Sequence, residues 1–200
     1  MTEKKIKFLG TMIFIIVAMD VIPLLGFFRI GNINLTNLHI PAILSSIVLG
    51  PFYGAFMGLL FGIISLMRAV GRETSILDVL LQNPLISVVP RICFPLISGY
   101  LYRFLAGVWG KKRSEASAAL SAGVGSFSNS ILVLTALYMI YPEELIAMLG
   151  LSDARGLFAM LFRVFGPNMI VEAGICILVC AAFMYTVRRF THEQTPADRT

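Results

Sequence analysis

Residues 35–65, LTNLHIPAILSSIVLGPFYGAFMGLLFGIIS, decide the fold because they hold two apolar segments joined by Gly50-Pro51. Proline cannot donate to the preceding helical turn and restricts the residue before it, so one helix should end at Gly50 and the next should begin at Pro51. In the second segment glycine recurs at every fourth position, at Gly50, Gly54, Gly58 and Gly62. These glycines share one helix face, which predicts a groove where a neighbouring helix approaches closely, as helices do in lipid.

The composition of the 200-residue chain is that of an integral membrane protein. Hydrophobic residues make up 58% of the sequence and charged residues only 14%, which is too little charge to cover a soluble domain of this size. The net charge of +5 comes from basic residues at the ends of apolar segments, which argues against nucleic-acid binding. Cys93, Cys176 and Cys180 lie within apolar segments, so the sequence shows neither a disulfide framework nor a metal-ligand spacing.

The apolar segments predict an all-α membrane protein with six transmembrane helices in a single membrane domain, residues 1–200. We expect the helices at about residues 6–26, 39–49, 51–69, 84–105, 116–140 and 157–187, followed by a hydrophilic tail at 188–200. Pro90 and Pro95 should kink the fourth helix, and Gly166-Pro167 should interrupt the sixth. The polar segment 27–38 suits a lid over a ligand, although a plain connecting loop is the commoner explanation.

Basic residues set the expected orientation of these helices. Most of them fall on the side of the two chain ends, namely Lys4, Lys5, Lys7, Arg103, Lys111, Lys112, Arg113, Arg188, Arg189 and Arg199. The loops of the other side hold four arginines, which five acidic residues offset. The positive-inside rule therefore predicts cytoplasmic termini and outward-facing polar loops.

Arg91 is the strongest candidate for a functional residue. It lies about seven residues into the fourth helix, roughly 10 Å from its outer end at 1.5 Å per residue. An arginine at that depth is costly unless it faces a partner or a watery cavity. Its guanidinium would suit a ligand carboxylate, bound bidentately. The alternative is a structural ion pair with Glu172, the only carboxylate of the sixth helix, and the sequence does not decide between the two.

Further polar side chains are expected near the same depth. Asn129 lies in a run of small and hydroxyl residues, which could serve helix packing alone, whereas its amide could bind a peptide-like group. Asn168 and Glu172 are four residues apart and share a helix face. We expect Arg91, Asn129, Asn168 and Glu172 to line a small-molecule pocket in the outer half of the bundle. No nucleophile with a matching base is evident, so no catalytic residue is expected.

Several segments taken together resemble the S components of energy-coupling factor transporters, and most of all their pantothenate-type branch. They are His39-Ile40-Pro41, GPFYGAFMGLLFG at 50–62, NPLISVVPR at 83–91 and GSFSNS at 125–130. The resemblance implies a six-helix vitamin-binding subunit in a prokaryotic plasma membrane, with an outward-facing site capped by the loop after the first helix. It adds Asn37 and His39 to the candidate binding residues, although a hydrogen-bonding role at the helix terminus is the commoner one for His39.

The resemblance also implies partners for the chain. A coupling transmembrane subunit and two ATPase subunits would dock onto it and use ATP, while the chain itself holds no cofactor. The family docks its coupling subunit on small residues of the first helix, where this chain has Gly10, Phe14 and Ala18, with a bulky middle residue.

Pantothenate is the first choice of ligand because its carboxylate, amide and hydroxyls match Arg91, Asn129 and Glu172. Riboflavin, a pyridoxine-like compound or a thiamin precursor are alternatives on the same scaffold. A membrane-embedded enzyme or a scaffold subunit is the alternative from another functional class.

Overall fold

The computed structural model describes residues 3–22, 26–30, 33–72, 76–110, 113–151 and 156–193. The helices are α1 Glu3–Val21, α2 Ile40–Val48, α3 Pro51–Arg72, α4 Ile76–Leu80, α5 Pro84–Ser87, α6 Val89–Trp109, α7 Ser114–Ile140, α8 Pro142–Leu149 and α9 Leu157–Glu193. Two short strands, β1 Phe27–Ile30 and β2 Ile33–Thr36, stand between α1 and α2.

Four of the described helical stretches are long and apolar enough to cross a membrane. They are Pro51–Gly71, Pro84–Trp109, Ser114–Ile140 and Leu157–Val187. The helical, multi-pass membrane architecture expected from the sequence is therefore confirmed at this level. The α2 helix has 9 residues, fewer than half of the roughly 20 that span a bilayer core.

Two details expected from the sequence are wrong. Segment 27–38 is not a plain loop, because β1 and β2 pair antiparallel, with Phe27 opposite Thr36 and Ile30 opposite Ile33. The α9 helix continues through Pro167 without the expected interruption. A proline removes one hydrogen bond of the helix, and the intact turns on either side of Pro167 continue the same helix.

The glycine face of α3 packs against other helices of the same chain. Gly54 lies against Ser46 of α2, and Gly58 lies against the backbone carbonyl group of Arg91 in α6. A Cβ atom at Gly62 would lie 2.9 Å from the Cα atom of Val88. Because no side chain separates the two backbones, α3 fixes the position of the chain around Arg91.

Two buried apolar clusters stabilise the described part of the molecule. One joins α1, α2, α3 and α6 and includes Ile16, Ile43, Met57 and Phe94. The other joins α5, α7, α8 and α9 and includes Ile86, Leu134, Leu145 and Leu161. Arg91 lies in sequence between Ile86 of the second cluster and Phe94 of the first.

Candidate functional site

A cavity of about 430 Å³ lies among α3, α6, α7, α9 and the end of β2. Its polar wall contains all four side chains expected at membrane depth, together with three others: Thr36, Asp78, Arg91, Asn129, Ser130, Asn168 and Glu172. Its apolar wall comes from Phe61, Leu81, Val133, Leu134, Leu137, Phe165 and Met169. A cavity of mainly apolar lining with a few convergent polar groups is the usual form of a small-molecule site.

Arg91 is 7% exposed, and its side chain makes one hydrogen bond with the described residues. Its Nη1 atom donates to the carbonyl oxygen of Ile86 at 2.6 Å, and its guanidinium carbon lies 5.6 Å from the ring centre of Phe61. Its buried Nε atom has no hydrogen-bond partner among the described residues. The guanidinium therefore keeps donors that the described protein does not use.

The ion pair between Arg91 and Glu172, which the sequence left open, does not form among the described residues. Glu172 is 8% exposed, and its Oε1 atom accepts a hydrogen bond of 2.7 Å from the backbone N–H of Thr36. The carboxylate thus holds the end of β2 against α9. At the base of the same hairpin, the N–H of Asn37 donates to the carbonyl oxygen of Gly26 at 3.0 Å.

The amides of the cavity differ in their surroundings. The Oδ1 atom of Asn129 is buried and accepts no hydrogen bond from the described residues. A buried acceptor left in this state costs about 1–3 kcal/mol, and a ligand N–H or hydroxyl could remove that cost. Asn168 lines the same cavity one helical turn before Glu172.

Asn37 and His39 are buried but line neither this cavity nor the smaller one beside it. His39 occupies the N-cap position of α2, yet its side chain makes no capping hydrogen bond, in contrast to the helix-terminus role expected. Its Nε2 atom lies 3.0 Å from the hydroxyl of Ser126, and its ring packs edge-on against Phe94. The imidazole is thus buried against α6 and α7.

A smaller cavity of about 190 Å³ adjoins the first and shares Thr36, Phe61, Asp78, Leu81 and Arg91 with it. Arg68 lines this second space and forms an ion pair with Asp20 of α1, donating both to its carboxylate and to its backbone carbonyl. Asp20 thus joins α1 to α3 through this pairing. Arg91 stands at the junction of the two spaces.

The sequence missed three kinds of contribution to this site. Thr36 acts through its backbone N–H, which no residue type reveals. Phe61 lies within the glycine-rich motif of α3, where an aromatic residue is indistinguishable from a core or lipid-facing residue. Asp78 lies in the short α4 helix, whose sequence gave no sign that it faces the cavity.

The expected docking residues lie on α1. Gly10 has no other atoms within 4 Å of the place where a Cβ atom would stand, and Phe14 is 74% exposed. Ala18 is partly exposed, whereas Met12 and Ile16 are buried on the other face of the helix. Gly10 and Phe14 thus belong to a face of α1 that the described chain leaves uncovered.

No group of His, Cys, Asp or Glu side chains that could hold a metal ion occurs within the described ranges. Residues 8–183 match the family model described as ECF transporter, substrate-specific component. The chain is 28% identical over 162 residues to the pantothenic acid transporter PanT of Lactococcus lactis subsp. cremoris, covering 74% of this chain and 75% of that protein. It is 31% identical over 109 residues to the pantothenate transporter PanT of Leuconostoc mesenteroides subsp. mesenteroides, covering 51% of this chain and 53% of that protein.

Proposed function

The chain belongs to the substrate-specific components of ECF transporters, and from this premise we propose that it binds pantothenate in the cavity around Arg91. It is a transport subunit and not an enzyme. The observation that carries the proposal is the buried Arg91 guanidinium, which has no carboxylate partner among the described residues and lines a cavity with Asn129, Asn168 and Glu172.

The chemistry of pantothenate fits this wall group by group. Its carboxylate would take the unused donors of Arg91, since a guanidinium binds a carboxylate through two parallel hydrogen bonds. Its amide N–H would donate to Asn129, whose buried Oδ1 atom accepts no hydrogen bond from the described residues. Its hydroxyls would donate to Glu172 and contact Asn168. Phe61 and Phe165 would cover its hydrocarbon part. Asn37 and His39 would act from behind this layer, by holding the segment that follows the hairpin.

For the membrane arrangement we extend the four apolar stretches to a bundle of six spans in a single membrane domain. The α1 and α2 helices would supply the additional crossings, and α2 would need the segment before it to reach across. Both termini would lie in the cytoplasm of a prokaryotic cell, as the basic residues near the chain ends indicate. The hairpin of β1 and β2 would then lie on the outer side and cover the cavity.

For transport the chain would depend on partners that use ATP. A coupling transmembrane subunit and two ATPase subunits would form the shared module, and the uncovered face of α1 with Gly10, Phe14 and Ala18 would contact the coupling subunit. The bulk of Phe14 would require a complementary recess on that subunit.

The binding proposal is tested by titrating the purified full-length chain with pantothenate in calorimetry. We expect saturable binding to the wild type and a loss on Arg91→Ala. The matched control is Arg163→Ala, which removes an exposed arginine of α9 that does not line the cavity. Equal binding by the wild type and Arg91→Ala would contradict the proposal, as would release of riboflavin or another vitamin, in place of pantothenate, from the denatured purified protein.

A further inference from the structure

The hydrogen bond between Arg91 and Ile86 depends on a missing backbone donor. In a continuous α-helix the carbonyl oxygen of residue 86 would accept from the N–H of residue 90. Residue 90 is proline, which has no N–H, so this carbonyl group is left without its helical partner. The Nη1 atom of Arg91 takes the vacant position at 2.6 Å.

The carbonyl groups at the start of α5 are already used by the backbone. The N–H of Ser87 donates to Asn83 at 3.0 Å, and that of Val88 donates to Pro84 at 2.8 Å. The side chain of Asn83 caps the same turn by accepting from the N–H of Leu85. The start of α5 is thus closed by its own backbone and cap, and Arg91 contacts this helix at the carbonyl group of Ile86.

This bond restrains a side chain that would otherwise be mobile. An arginine loses much rotamer entropy when a ligand immobilises it, and that loss weakens binding. Here the guanidinium is held at Nη1 by Ile86 and lies over Phe61 before any ligand arrives. Its Nε atom and its Nη2 atom make no hydrogen bond with the described residues.

We propose that Pro90 is a positioning residue for ligand binding, because it keeps the Ile86 carbonyl group available to hold Arg91 with the Nε and Nη2 edge of its guanidinium directed to a ligand carboxylate. The inference rests on the proposed function in one respect, namely that the ligand at Arg91 is a carboxylate. It predicts that Pro90 acts on the carboxylate end of the ligand and not on the rest of it.

Pro95 provides a matched control in the same helix. Both prolines are buried in α6. Because Pro95 has no N–H, the backbone carbonyl group of Arg91 is left without its helical partner. Gly58 packs against this carbonyl group. Replacing Pro95 by alanine therefore gives the main-chain carbonyl group of Arg91 an N–H donor. Replacing Pro90 by alanine instead adds an N–H that competes with the Arg91 guanidinium for the carbonyl oxygen of Ile86.

The experiment compares pantothenate with pantothenol, in which an alcohol replaces the carboxylate, on the full-length protein. Pro90→Ala should weaken pantothenate binding by about 10-fold and pantothenol binding by less than about 2-fold, the size expected for one charge-assisted hydrogen bond. Pro95→Ala should leave the ratio of the two affinities as in the wild type. Equal losses for both ligands in Pro90→Ala, or the same change of ratio in Pro95→Ala, would overturn the inference.

A second variant removes the proline ring at position 90 but, like proline, has no backbone N–H there. The α-hydroxy analogue of alanine at position 90 forms a backbone ester, which cannot donate to Ile86. Wild-type pantothenate affinity in this variant supports the inference, and a loss of about 10-fold, the size expected of Pro90→Ala, overturns it.

A ligand-free measurement separates this inference from the proposed function. In protein labelled with ¹⁵N-arginine, restricted rotation should give resolved Nη resonances for Arg91 in the wild type and averaged ones in Pro90→Ala. Identical spectra overturn the inference, whatever the ligand. Absence of pantothenate binding together with the expected spectra would contradict the proposed function alone.

Discussion

Arg68 and Arg91 line the same small cavity, yet the protein treats their charges differently. Arg68 is paired with Asp20, so its charge joins α3 to α1. Arg91 is more deeply buried and has a carbonyl oxygen and an aromatic ring beside it, but no carboxylate among the described residues. A buried cation without an anion is costly, and the protein provides Asp20 as the anion for Arg68. From this contrast we propose that Arg91 binds an anion from outside the chain.

The largest expected effect comes from truncating each arginine. Arg91→Ala should weaken pantothenate binding by at least about 30-fold, because it removes the charge partner of the carboxylate, worth about 2–5 kcal/mol. The ligand-free protein should lose less thermal stability than in Arg68→Ala, because the truncation removes a buried unpaired charge and leaves only the neutral carbonyl group of Ile86 without its donor. Calorimetry and thermal unfolding in the same detergent measure the two quantities.

Arg68→Ala should give the opposite pattern. It leaves the partly buried Asp20 without its partner, so the melting temperature should fall while the pantothenate affinity changes by less than about 3-fold. If Arg91→Ala destabilised the ligand-free protein more than Arg68→Ala does, the distinction between a structural and a ligand-binding arginine would be wrong.

The next effect concerns the backbone that carries Arg91. Gly58→Ala would drive a Cβ atom into the Arg91 carbonyl group, so α3 and α6 must separate, at a cost of about 1–3 kcal/mol in the free energy of unfolding. Because Arg91 moves with α6, pantothenate affinity should fall too. Gly10→Ala is the control, since nothing lies within 4 Å of its added Cβ atom. Unchanged stability in Gly58→Ala would show that the close approach is not needed.

A smaller effect is expected from the carboxylate that does not pair with Arg91. Glu172→Gln keeps an acceptor for the N–H of Thr36 but removes its charge, which should weaken this bond by about 1 kcal/mol. Amide hydrogen exchange should then become faster in the hairpin of β1 and β2. Glu143→Gln, an exposed change in α8, serves as the control. Loss of binding as large as in Arg91→Ala would indicate that Glu172 and Arg91 act as a pair.

The sequence predicted the polar wall of the site because its information is local. The depth of Arg91 follows from its place in an apolar segment, and Asn168 and Glu172 share a face because they are four residues apart. Contacts between distant segments had no such signal. The pairing of Asp20 with Arg68 and the bond between Thr36 and Glu172 depend on how α1 and the hairpin pack, which periodicity does not report.

Pro90 shows how a correct local reading can miss the consequence. The sequence indicated a proline that disturbs the fourth helix, and the structure breaks that helix at Val88, between α5 and α6. What the sequence did not reveal is where the freed carbonyl group finds a donor. The answer is the adjacent Arg91, because the break lets its side chain fold back toward Ile86.

An effect of similar size tests the neutral counterpart of Arg91. The buried Oδ1 atom of Asn129 also lacks a described partner, so removing the amide should not destabilise the ligand-free protein. Asn129→Ala should weaken pantothenate binding by about 5- to 10-fold, which corresponds to one neutral hydrogen bond. The methyl ester of pantothenate keeps the amide, so Asn129→Ala should weaken its binding by the same factor. Arg91→Ala, in contrast, should bind the ester and the acid with equal affinity. If Asn129→Ala lowered the melting temperature and left the pantothenate affinity unchanged, Asn129 would be a packing residue. The missing hydrogen bonds at Arg91 Nε and Asn129 Oδ1 would then not both indicate ligand binding.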